Sequence, residues 1–132
     1  MIKVSDTEKI TINIGFVDLG QIDLLVQEGF YSNRTDFIRT AIRNQLSTHS
    51  EEVKQTLARK TLILGRQHYT RSNLEKVHSA GIKLEIQVLG LVSIAPDVPP
   101  ELARATIKSI FVLGAFKATP QVKAALADRI HG

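Results

Sequence analysis

The sequence predicts an α+β chain in two parts, a strand followed by two helices and then three strand-turn-helix repeats. Three observations carry this. Lys9 to Ile14 alternates polar and apolar residues, with isoleucine at 10, 12 and 14, the pattern of a half-buried strand. Two stretches of helical periodicity follow, separated by a short turn that opens on Gly29. Further on, Ile63-Leu64-Gly65, Val88-Leu89-Gly90 and Val112-Leu113-Gly114 recur at offsets of 25 and 24 residues, a near-constant period that marks stacked copies of one unit. The chain divides accordingly into residues 1–47, a connector at 48–60, and the repeats at 61–132.

Residues 1–6 have no pattern and are expected to form a short flexible arm that carries only Lys3 against Asp6. In the strand, Ile10, Ile12 and Ile14 share one face, and Lys9, Thr11 and Asn13 share the other. No strand of matching pattern follows within hairpin distance. An isolated strand leaves its backbone donors and acceptors unpaired, so the economical partner is a second copy of the chain across a two-fold axis. The resulting antiparallel ribbon buries the isoleucines and displays two sets of Lys, Thr and Asn. A ribbon of that width fits the major groove of B-form DNA.

Asp18 is placed to cap a helix running to about Glu28, with Leu19, Ile22, Leu25 and Val26 on one stripe and Gly29 ending it. Phe30 and Tyr31 are expected to fill the corner. Ser32 or Asn33 caps again, and a second helix over about Arg34 to Ser47 turns Phe37, Ile38, Ala41, Ile42 and Leu46 inward.

Strand, helix, Gly-x-x-Ser turn and helix over residues 7–47 resemble the ribbon-helix-helix fold of the CopG, MetJ and Arc type. The resemblance is carried by Gly29-Phe30-Tyr31-Ser32-Asn33-Arg34-Thr35, followed by Phe37-Ile38-Arg39-x-Ala41-Ile42-Arg43. It implies a homodimer or higher oligomer that binds double-stranded DNA as a transcriptional regulator, expected to be a repressor of bacterial or phage type acting in the cytoplasm on the nucleoid. It also places base contacts on the outward positions of the ribbon, here Lys9, Thr11 and Asn13. Lys9 suits guanine O6 or N7, Asn13 suits adenine N6 and N7, and Thr11 suits a thymine methyl group. Asn13 stands where a smaller hydroxyl residue is often found in the family. The same resemblance puts DNA phosphate on the start of the second helix, at Ser32, Asn33 and Arg34, where free N–H groups and the helix dipole favour an anion. Arg39 and Arg43 read as surface charges.

Ser50 is placed to cap a connector helix through Arg59, with Val53 and Leu57 as its apolar side. In the repeats, residues four before each glycine (Thr61, Ile86, Ile110), four after (Tyr69, Ile94, Ala118) and twelve after (Val77, Leu102, Leu126) also correspond. Each unit reads as a strand through the glycine, a turn and a short helix. Ser72 and Glu75 have capping-box spacing, and Gly81 ends the first helix. Pro99 and Pro100 start the second at Glu101, and Thr119 and Pro120 start one running to about Ile130. The stack forms a small solenoid with a parallel sheet, without the Leu and Asn spacing of leucine-rich repeats. The recurring glycine marks a bulge or a close approach to the backbone, with packing between coils the expected cause. The last unit is the most apolar, so the repeats are expected to form an oligomerisation domain.

The formal charge of +4 is unevenly spread: residues 53–83 hold Lys54, Arg59, Lys60, Arg66, Arg71, Lys76 and Lys83 against Glu75 alone. This is either a solvated basic face or added phosphate contact. With no cysteine there is no disulfide or thiolate site, and no secretory segment or membrane-length apolar run is present. His49, His68, His78 and His131 are dispersed and lack the closely spaced His set and Cys ligand of nickel-responsive repressors, so no metal is expected. No phosphate-binding Gly loop, nucleophile elbow or paired acid is found, so neither catalysis nor a cofactor is expected, and no small-molecule partner is identified. Two alternatives remain: a self-assembling filament or DNA-coating protein with a DNA-attachment unit, and a toxin-neutralising antitoxin.

Overall fold

The computed structural model describes residues 7–131. Its elements are α1 (Phe16–Gln27), α2 (Arg34–Thr48), α3 (Ser50–Lys60), β1 (Ile63–Tyr69), α4 (Arg71–Ser79), β2 (Leu84–Ile94), α5 (Pro100–Thr106), β3 (Ile107–Lys117), α6 (Pro120–Ala125) and β4 (Ile130–His131), with a 3-10 turn at Ala127–Arg129. The arm expected at residues 1–6 lies outside the described residues. The chain forms two compact units: Lys9–Thr56 is one, and the chain from Leu57 onward, with Thr7 and Glu8, is the other.

In the first unit, residues 9–15 carry no strand, nor do Thr7 and Glu8 before them. A lone chain offers no ladder partner, so the alternating pattern stays unpaired. The first helix starts at Phe16, not after Asp18. Gly15 is its N-cap, the Gly15 carbonyl accepts from Leu19 N at 3.0 Å, and Asp18 sits in the first turn, where its charge favours the helix dipole. The helix closes as expected at Gly29. Gly29 N donates to Val26 O and Phe30 N to Leu25 O, and Gly29 takes φ +85, the left-handed residue of a Schellman end. The corner is filled by Tyr31 alone, edge-on to Phe37 at 5.0 Å, whereas Phe30 faces solvent. Ser50 is the first residue of α3 and not its cap: His49 closes α2 and accepts from Val53 N, so the two helices are separated by a single residue.

Of the stripes expected to point inward, Ile22 is buried and Leu19, Leu25, Val26, Phe37 and Ile38 are half-buried. Ala41, Ile42 and Leu46 are exposed. Two helices make one groove between them, and the far half of the α2 stripe has nothing to face within one chain.

In the second unit, four strands pair in parallel in the order β1-β2-β3-β4, with α4, α5 and α6 as the crossovers. One sheet face packs on these helices: Ile86, Val88, Val92 and Ile94 of β2 and Ile110 of β3 join Leu74, Ala103, Val122 and Leu126 in one core. The α4 cap differs from the expected Ser72 and Glu75. Thr70 and Asn73 form the reciprocal box two residues earlier, because Thr70 directly follows β1 and its side chain reaches the Asn73 N–H at 3.1 Å. The last helix is shorter than expected. It stops at Ala125, and Arg129 donates to the carbonyls of Arg104 (2.6 Å) and Ile107 (2.8 Å), turning the chain into β4 beside Ile110 and Phe111.

Gly65, Gly90 and Gly114 lie in register across three strands. Their φ values are +132, +140 and +122, a conformation open essentially to glycine alone. A Cβ on Gly90 would overlap the Gly65 carbonyl oxygen, and one on Gly114 would overlap the Gly90 carbonyl oxygen. The close approach is thus backbone to backbone, a ladder in which each carbonyl sits against the α-carbon of the next strand. On the face away from the helices, Leu64, Leu89 and Leu113 form an in-register apolar row.

Candidate nucleic-acid interface

Lys9, Thr11 and Asn13 are all exposed, and so are Ile10 and Ile12, at 80% and 68%. Among the described residues, the backbone of residues 9–14 has no hydrogen-bond partner. Two exposed isoleucines would each leave water on burial, worth about 1.5–3 kcal/mol apiece. Phe16 and Val17 at the start of α1, and Ile42 and Leu46 on α2, are bare as well. The segment therefore presents a row of polar side chains, an apolar row behind it, and unused backbone hydrogen-bonding groups.

At the start of α2, Asn33 accepts from Asp36 N at 2.7 Å, and Asp36 Oδ2 accepts from Ser32 N at 3.0 Å and Ser32 Oγ at 3.1 Å. The side chains of Ser32 and Asn33 thus close the helix end. Hydrogen bonds from the Ser32 backbone and then its hydroxyl hold the Asp36 carboxyl below the usual range, with help from the Arg43 charge. The N–H groups of Arg34 and Thr35 have no acceptor among the described residues, so they are the donors left for an anion.

Arg34 is committed elsewhere by its side chain. Its guanidinium grips Asp23 of α1 through two hydrogen bonds of 2.7 and 2.8 Å, fixing the two helices to each other. That contact holds the Asp23 carboxyl below its ordinary range and the guanidinium above its own. Sequence reading missed the pair because its members are eleven positions apart, on different helices.

The basic run of residues 53–83 is spread over α3, β1, α4 and the approach to β2. Arg71 pairs with Glu75 at 2.9 Å, and Lys60 Nζ lies 5.8 Å above the Phe111 ring. Arg59 and Lys60 complement the C-terminal end of α3. The histidines do not converge: His68 Nδ1 bonds Ser93 Oγ at 2.6 Å, and His49 lies 4.0 Å from Glu52. Among the described residues no group of three His, Cys, Asp or Glu side chains is arranged to hold a metal, and no helix is long and apolar enough to cross a membrane.

Residues 5–123 match the family model of the ribbon-helix-helix transcriptional regulators. The chain belongs to that family. The match passes well beyond residue 47, where the resemblance read from sequence stopped, and reaches into α6, so most of the glycine-ladder sheet falls within the region that defines this ribbon-helix-helix family. Ribbon-helix-helix regulators bind DNA and dimerise, and the family is one of regulators, not typically of enzymes. No curated protein and no solved structure matched the chain.

Proposed function

We propose that this ribbon-helix-helix regulator is a homodimeric, sequence-specific repressor. Residues 9–14 of two copies pair as an antiparallel ribbon in the major groove, where Lys9, Thr11 and Asn13 read base edges. The two α2 starts rest on phosphates on either side. Ser32 and Asn33 shape that helix end, and Arg34 contributes its backbone N–H while its guanidinium holds Asp23. The observation that carries this reading is the bare segment before α1: alternating side chains, exposed isoleucines and a backbone without partners, next to a capped helix pair.

The sheet unit acts as an assembly module. A ribbon reads only a few base pairs, so useful specificity needs dimers placed side by side on repeated half-sites. A second reading, a DNA-coating polymer, is favoured by one feature: outside the β4 pairing, the outer edges of β1 and β3 have no neighbour among the described strands. An antitoxin role fits less well, because toxin-binding tails of that kind are commonly disordered until bound, whereas Leu57 onward is a compact unit with its own core.

Selection of bound duplexes from a random-sequence pool tests the repressor reading. The full chain is expected to enrich a short repeated motif, and the variant with Lys9, Thr11 and Asn13 all changed to Ala is expected to lose it. Salt-sensitive binding that survives the triple change with no motif enriched would mean that the ribbon does not read bases, and the coating role would lead.

A further inference from the structure

We propose that the sheet continues from one copy of the chain into the next, β1 of one copy pairing in parallel with the outer edge of β3 of another and setting Gly65 upon Gly114. This deepens the assembly role proposed for the sheet and rests on that role, not on base reading.

The first observation is a glycine whose conformation has no packing cause among the described residues. Gly90 and Gly114 lack room for a Cβ because the carbonyl of the preceding glycine fills the space. Gly65 holds the same left-handed conformation at φ +132, yet among the described residues nothing lies within 4 Å of where its Cβ would be. No described strand fills the receiving site it offers, of the kind that Gly90 and Gly114 use. At the other end of the ladder, Gly114 presents the carbonyl that no described strand receives. The two ends are complementary to each other, and neither is complementary to itself.

The second observation is register. Ile63, the first residue of β1, lies level with Val88, and Val88 lies level with Val112. On the outer edge of β3, β4 takes only Ile110 and Phe111. A β1 strand arriving in the ladder's own register would begin at Val112, the next residue along, and reach Lys117, the end of β3, at His68, with only Tyr69 beyond it. β4 and the incoming strand would therefore share the edge without overlap.

The third observation is what each edge exposes. Leu64 and Ile63 are 67% and 49% exposed on one side, and Leu113 is 43% exposed on the other. Docking in this register extends the Leu64-Leu89-Leu113 row with the Leu64 of the next copy. Neither edge carries a proline, and each presents a single formal charge, Arg66 on β1 and Lys117 on the open part of β3. Natural edges that must stay unpaired are usually blocked more heavily than this. Because the joined surfaces differ, the contact is head-to-tail and builds a ring or an open array.

The chain has no cysteine, so introduced ones report alone. Leu64→Cys and Leu113→Cys are made separately in the full chain, at exposed positions, with folding checked by circular dichroism. They are mixed without DNA and treated with a bis-maleimide too short to span four residues of strand, about 13 Å. A cross-linked pair is expected from the mixture, with only background from either variant alone and from Leu64→Cys mixed with Lys117→Cys. Sedimentation of the same samples across concentration separates the failures. Particles larger than dimers without the 64–113 cross-link would leave the assembly role standing and overturn the edge pairing. Cross-linking of Leu64→Cys to itself would overturn it in favour of a symmetric β1 contact. Dimers alone at every concentration, with no cross-link, would overturn both.

Discussion

The two units differ in how much of their interior one chain can finish. From Leu74 onward, twelve hydrophobic residues are buried; before it, Ile22 is the only one among the described residues. Yet the earlier part is not poor in apolar side chains: Ile10, Ile12, Phe16, Val17, Ile42 and Leu46 are present and bare. The sheet closes its core between one of its faces and the helices that connect its strands. The helix pair holds half a core, and in the proposed dimer a second chain supplies the rest.

The largest effect expected is at Gly90. Gly90→Ala drives a methyl into the Gly65 carbonyl in addition to imposing an unfavourable φ, and is expected to destabilise the sheet unit by about 3 kcal/mol or more in urea unfolding. Gly65→Ala imposes the φ strain alone and is expected to lose about 1–3 kcal/mol. Equal losses at a concentration where the copies are separate would remove backbone contact as the reason for the ladder.

Next is Ile12→Ser, which sharpens the contrast from the other side. For a side chain exposed in the single chain, removal should be nearly silent. A loss of about 2 kcal/mol that shrinks as the protein is diluted and the dimer dissociates would show that Ile12 is buried in the dimer.

The smallest effect belongs to Asp23. Its carboxyl is held below the ordinary range by the Arg34 hydrogen bonds, so the stability it contributes is present above that range and is lost as pH falls through the depressed folded-state value. Acidification below about pH 4 should lower the melting temperature of the native chain slightly more than that of Asp23→Asn. An identical pH dependence in the two proteins would mean that the helix pair does not rely on this exposed contact.

The correspondence of Gly65, Gly90 and Gly114 was legible in the sequence because near-constant spacing reports one backbone arrangement, and those glycines lie opposite one another across the sheet. So were the α1 stripe and its Schellman end, both of which depend on nearby residues. The misses have a common origin in contacts that distance along the chain conceals. Thr70 rather than Ser72 caps α4 because the end of β1 decides where the helix begins. β4, two residues long, exists because Arg129 reaches back to Arg104 and Ile107. At the candidate interface, the residue types were readable but the engagement of Arg34 was not, since only the packing of α1 on α2 brings Asp23 to it.

The ladder also bears on how the protein is made. Each glycine pairs with one 24 or 25 residues away, so no strand waits for a distant partner. At ribosomal speeds of about 5–20 residues per second, a new coil emerges every one to five seconds or so, onto a strand already in place. Synthesis therefore adds strands to one side only. Among the described strands the rim of β1 is laid down first and gains no neighbour as β2 and β3 are added, so in the proposed array the receiving edge is ready before the edge it receives has been made.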